Sequence, residues 1–180
     1  MKIYEDTTKT LKAFIPKTQP PQSVIGISIG TKQLGIAIEK NGELVEWKTC
    51  RFRGIWSPHK LQLILHSIEK HLAEYSVQAI SLKIPQPHNQ SRGLMELKEA
   101  ILQQAKEKDI VLYIYTAGDL RSRYVVKGVN YRLALMYALC DKKLELKREF
   151  NKEVKYKSGY YFKIFEAVAC IELCNRMWRD

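Results

Sequence analysis

The sequence predicts an α/β three-layer sandwich built on a five-stranded mixed sheet flanked by helices. Three observations predict it. Apolar strand segments at 24–30, 34–40 and 43–52 follow one another with only short turns between them, so the sheet opens with antiparallel hairpins. Two later apolar runs, 77–84 and 110–115, are each preceded by a stretch of helical periodicity, the pattern of parallel crossovers. Beyond residue 118 the pattern is helical.

Each element has a local reason. Prolines 16, 20 and 21 deny residues 1–22 a helix or a central strand, so this segment reads as a flexible N-terminal arm ahead of one domain, 23–180. The first strand is apolar on both faces, as the middle of a covered sheet requires. Asn41-Gly42 supplies the turn between the second and third strands. Pro58 marks a helix start, and Leu61, Ile64, Leu65, Ile68 and Leu72 give a helix over 58–75. The fourth strand stops at Pro85 and Pro87, and a polar loop leads to a helix at 92–107 that carries Leu94, Leu97, Ile101 and Leu102. Further helices are expected at 118–126, 130–142 and 162–178, giving the order β-β-β-α-β-α-β-α-α-α.

With 30 Lys and Arg against 19 Asp and Glu, the chain carries a formal charge of +11 and a pI near 9.5. That excess favours a polyanionic partner, nucleic acid before a membrane surface. The four cysteines show no C-x-x-C spacing and no histidine nearby, which suits reduced thiols in a cytoplasmic protein rather than a metal site or a disulfide framework. No apolar run approaches the ~20 residues of a membrane span.

The segment Val24-Ile-Gly-Ile-Ser-Ile-Gly-Thr-Lys-Gln-Leu-Gly-Ile-Ala-Ile38, with Ala79-Ile-Ser-Leu82, the strand and helix over 110–126, and Phe165-Glu-Ala-Val-Ala-Cys170, resembles the RuvC-type Holliday-junction resolvases and the related YqgF group of the RNase H-like superfamily. The likeness spans about residues 24–178. It implies an RNase H-like fold and, in the family, a metal-dependent nuclease whose four acidic side chains hold two divalent ions. Hard cations such as Mg²⁺ want anionic oxygen ligands. Position by position, the resemblance puts Ser28 and Ser81 where the family has strand carboxylates, and Lys163 and Glu166 where its last helix has two aspartates. One carboxylate in four remains, so the reading is a degenerate catalytic site with no metal cofactor.

Nucleic-acid binding depends on other residues. From Leu120 to Cys140 no acid occurs, while Arg121, Arg123, Lys127 and Arg132 gather around Tyr124 and Tyr131. These side chains neutralise phosphates or stack on unpaired bases. Lys32 follows the first strand, and Asn89, Ser91 and Arg92 lie in the loop that corresponds to the family segment reaching into branched DNA. A second basic stretch, Lys142 to Lys163, ends in Tyr156, Tyr160 and Tyr161, but Glu145, Glu149 and Glu153 recur within it and suggest a solvated, salt-bridged helix.

The sequence thus predicts a DNA-binding protein, with branched DNA among the candidate ligands, that does not cut by the two-metal route. Two alternatives stay open. One is an active endonuclease using Mg²⁺ or Mn²⁺ on a relocated acid pair, Asp119 and Glu166, although Asp119 before Leu-Arg-Ser-Arg equally suits a helix cap. The other is a non-catalytic scaffold or homodimerisation module. Actin-like and sugar-kinase ATPases share the strand-Gly-Thr-turn-strand pattern, but they need an acid in the first strand and a second such domain.

Overall fold

A computed structural model of the chain describes residues 19–85 and 91–178; most of the expected arm, and Asn89, lie outside the described residues. The sheet comprises β1 (Ser23–Ser28), β2 (Gln33–Lys40), β3 (Glu43–Arg51), β4 (Ala79–Ile84) and β5 (Val111–Thr116). Their spatial order is β3-β2-β1-β4-β5. β1–β2 and β2–β3 pair antiparallel, while β4 lies parallel to both β1 and β5. The expected mixed sheet is therefore present. Asn41 and Gly42, at φ 52° and 86°, make the hairpin turn their sequence predicts.

Six helices follow the expected order with one addition: α1 (Pro58–Glu74), α2 (Arg92–Glu107), α3 (Ala117–Tyr124), α4 (Tyr131–Lys142), α5 (Lys147–Tyr156) and α6 (Phe162–Arg176). The addition is α5, which lies in the stretch read as a solvated helix but left out of the element order. The structure also corrects the salt-bridged part of the reading of Glu145, Glu149 and Glu153. Among the described residues no ion pair joins Glu145, Glu149 or Glu153 to a cation. Glu153 is only 5% exposed, and instead of facing solvent it folds back onto the turn that follows its helix.

The two faces of the sheet are divided by strand alternation. Ile25, Ile27, Ile29, Ile36, Ile38, Ile80 and Leu82 pack with the apolar stripes of α1 and α2. Val24, Ala37, Ala79, Val111, Tyr113 and Tyr115 pack on the other side against α3, α4 and α6. On that second face the central strands carry unusually small residues, and α6 presses directly onto them. A Cβ on Gly26 would sit 2.1 Å from the Ala167 carbonyl oxygen, and one on Gly35 would sit 2.1 Å from the Lys163 carbonyl oxygen. Both glycines are therefore required by close backbone approach rather than by a turn. They set the height at which the first turns of α6 meet the ends of β1 and β2.

Candidate functional site

Ser28 is the last residue of β1, placed opposite Gly35 of β2 and Lys83 of β4. Above these three residues lies the N-terminal half of α6, with Lys163 and Glu166 one helical turn apart. The four polar side chains form one closed cluster. The Ser28 hydroxyl donates to Glu166 Oε2 at 2.7 Å. Lys83 Nζ lies 3.0 Å from Glu166 Oε1, and Lys163 Nζ lies 3.4 Å from Oε2. Lys163 also donates to the Ser28 Oγ at 3.2 Å and to the Ile29 carbonyl at 3.3 Å. Lys163 does not point away from the sheet into solvent. It turns inward instead, because a buried carboxylate, a hydroxyl and a strand-end carbonyl all accept from it.

Burial alone would raise the Glu166 carboxyl, but the Lys163 and Lys83 ammoniums and the Ser28 hydroxyl outweigh it and hold the group below the ordinary carboxylate range. Burial depresses Lys163, and the like charge of Lys83 adds to that, while Glu166 opposes it. Counted formally, two lysines against one carboxylate give the cluster one excess positive charge. Sequence reasoning missed Lys83, the member that reaches Oε1. The signal was available: residues 79, 81 and 83 alternate onto the same face of β4 as Ser28 and Gly26 on β1.

Ser81 does not join this cluster. It lies one step deeper on β4, fully buried, and its hydroxyl donates to the Cys170 carbonyl at 2.7 Å. Asp119 is likewise spoken for. Thr116 caps α3, and the Asp119 carboxylate accepts from the Thr116 amide (2.6 Å) and hydroxyl (2.7 Å) in a reciprocal capping box. Ser91 caps α2, accepting from the Leu94 amide, and Arg92 pairs with Glu96 at 2.8 Å on the exposed side of that helix. Lys32 is exposed in the β1–β2 connection. Tyr124 must be corrected as a stacking residue. It is 9% exposed and belongs to the core beneath α3, with burial pushing its phenol far up.

The remaining basic residues form a chain of cations and rings. The Arg121 guanidinium lies over Tyr131 (5.5 Å), Tyr131 meets Phe162 edge-on (6.3 Å), and Arg132 lies over Phe162 (4.9 Å). Arg121, Arg123, Lys127 and Arg132 are all exposed. Arg132 lies over Phe162, the residue before Lys163, so this strip adjoins the cluster.

Comparison with solved structures aligns the chain with RuvC of Thermus thermophilus at a TM-score of 0.60 and 13% identity, covering 86% of this chain and 96% of that one. T. thermophilus RuvC solved in complex with a Holliday junction substrate aligns at 0.61 and 14% identity, covering 87% and 96%. The chain has the RuvC fold. No protein-family model matches it, and no curated protein does.

In the family that the sequence resembles, a pair of divalent metals is expected at the positions matched by Ser28, Ser81, Lys163 and Glu166. The donor set here does not fit them. Among the described residues no group of three or more His, Cys, Asp or Glu side chains is placed to hold a metal ion. The one carboxylate in the cluster already has both oxygens engaged by ammoniums and a hydroxyl. At an effective dielectric of ~20, unit charges ~4 Å apart interact by on the order of 4 kcal/mol, and a dication doubles that. A Mg²⁺ approaching Glu166 would meet two such repulsions against one attraction. The side chains that would have to leave are also the ones that neutralise the carboxylate.

Proposed function

We propose that this protein binds nucleic acid, DNA and branched DNA foremost, as a RuvC-fold protein in which resident ammoniums have replaced the metal pair, so that it holds the phosphodiester backbone without cutting it. The observation that carries this reading is the Lys83–Glu166–Lys163 cluster beside Ser28. It places two lysine side chains around a single carboxylate at the strand ends. The +11 charge of the chain and the exposed Arg121, Arg123, Lys127 and Arg132 beside the cluster supply the wider electrostatic footprint. Structural likeness to a RuvC solved with a Holliday junction substrate supports the choice of DNA as ligand.

The Asp119 carboxylate accepts from the Thr116 amide and hydroxyl in the α3 cap, which counts against the relocated-nuclease alternative. The test is a labelled four-way junction and a linear duplex incubated with the protein in EDTA, Mg²⁺ or Mn²⁺, with retardation and cleavage scored in parallel. The expected result is retardation that EDTA leaves unchanged and no cleavage in any arm. Metal-dependent cutting abolished by Glu166→Ala would overturn the reading, and absence of retardation at low salt would favour a scaffold.

A further inference from the structure

At the edge of the molecule formed by the end of β3 and the α5–α6 connection lies a shallow depression of about 420 Å³, lined by Arg51, Tyr156, Ser158, Tyr160 and Tyr161. That volume falls in the range of roughly 300–1,000 Å³ common for small-molecule sites. Its lining contains three tyrosines, one arginine and no acid. The arrangement is built, not accidental. Lys157 and Gly159, at φ 51° and 71°, turn the chain sharply after α5. The buried Glu153 carboxylate fixes that turn by accepting from the Gly159 amide (2.7 Å) and the Tyr161 amide (3.1 Å). Tyr160 is then pinned to β3 at both ends. Its hydroxyl donates to the Thr49 carbonyl, and the Thr49 hydroxyl donates back to the Tyr160 carbonyl, each at 2.7 Å.

The charges are arranged around the rings. Arg51 lies over Tyr160 (5.0 Å), Lys152 over Tyr161 (5.2 Å) and Lys155 over Tyr156 (5.2 Å). Tyr160 and Tyr161 meet edge to face at 5.1 Å, so one ring braces the other. Tyr156 remains 59% exposed at the end of α5 and is the ring most open to a ligand. A duplex backbone needs only the cations. Rigid, half-open aromatic rings interleaved with cations instead suit a flat π-face flanked by phosphates.

We infer that this depression is a stacking site for an unpaired nucleobase of a DNA or RNA strand, separate from the Ser28–Glu166 cluster. The site extends the nucleic-acid-binding reading given above and rests on it. Once a strand is bound, an extruded or single-stranded base inserts against Tyr156 and the braced Tyr160–Tyr161 pair, while Arg51 and the neighbouring lysines hold its phosphates.

The test compares the full chain with Tyr156→Ala and Tyr156→Phe, using a fluorescent single-stranded oligonucleotide and a blunt duplex of equal length. Tyr156 is exposed, and its side chain makes no hydrogen bond among the described residues. Stacking on one ring accounts for a factor of about ten or more in affinity. The expected result is therefore about ten-fold weaker single-strand binding in Tyr156→Ala, duplex binding unchanged within about two-fold, and wild-type behaviour in Tyr156→Phe. Equal losses on both probes, or none on either, would overturn the stacking site alone. If the wild-type protein binds neither probe, the nucleic-acid reading falls and this site falls with it.

Discussion

The Ser28 hydroxyl donates to Glu166 Oε2 at 2.7 Å, joining the end of the central strand to the first turns of the last helix through 138 positions of sequence. Glu166 is the hub of that junction, with an ammonium on each side. Removing its charge leaves the buried Lys83 and the part-buried Lys163 with no anion between them. Breaking a buried pair by deleting one partner costs about 3–5 kcal/mol. Glu166→Gln keeps the shape and should lose that much in urea unfolding, whereas a solvent-facing control such as Glu145→Gln should change stability by less than about 0.5 kcal/mol. A loss for Glu166→Gln no larger than the control's would mean that the cluster is not closed in solution.

The same residue sets a pH dependence. Its carboxyl lies below the ordinary value of 4.5 because the neighbouring ammoniums and hydroxyl outweigh burial. A carboxylate depressed on folding contributes stability that is fully present above the unfolded pKa and is lost as pH falls through the folded one. Unfolding free energy should therefore drop from about pH 5 downward in the wild type. Glu166→Gln should show a shallower slope over that window, since its amide does not titrate. Parallel slopes would assign the acid sensitivity to other groups.

Gly35 ties the fold to the site in a way that a stability screen can detect. A methyl group there would meet the Lys163 carbonyl oxygen at 2.1 Å, against backbone that no side-chain rotation relieves. Gly35→Ala must push the start of α6 outward, and overpacking of this kind costs about 1–3 kcal/mol. The displacement falls on Lys163 and Glu166 themselves, so the acid-range slope set by Glu166 should weaken along with the melting temperature. A variant that melts normally would show that α6 sits higher than described.

Much of this was legible from residue patterns, and the gaps have physical causes. The hairpins and crossovers could be read because strand and helix periods differ and because Asn41-Gly42 and Pro58 punctuate them. Ser28, Lys163 and Glu166 were brought together by likeness of order and spacing, and the structure joins them. Lys83 escaped notice because a lysine in an apolar strand reads as an edge residue until its partner across the layer is known. α5 was read only as a solvated helix and left out of the element order because it offers little apolar periodicity beyond Phe150 and Val154; it is largely exposed, and the buried turn of Glu153 is what its glutamate spacing did not show. Tyr124 was misread because a tyrosine among arginines looks exposed in one dimension, whereas helical phase turns it beneath α3.

The arginines that flank Tyr124 remain outside. Arg121 and Arg123 are exposed at the end of α3, and Arg121 is steadied over the Tyr131 ring. If both neutralise phosphates, each releases about one condensed counterion, and the slope of log K against log salt changes by about 0.9 per contact. The double variant Arg121→Ala/Arg123→Ala should therefore bind duplex or junction DNA more weakly and flatten that slope by about two units. The Ser28–Glu166 cluster is untouched by these changes, so the acid-range stability of the double variant should match the wild type. A slope unchanged by the double substitution would move the DNA path away from α3.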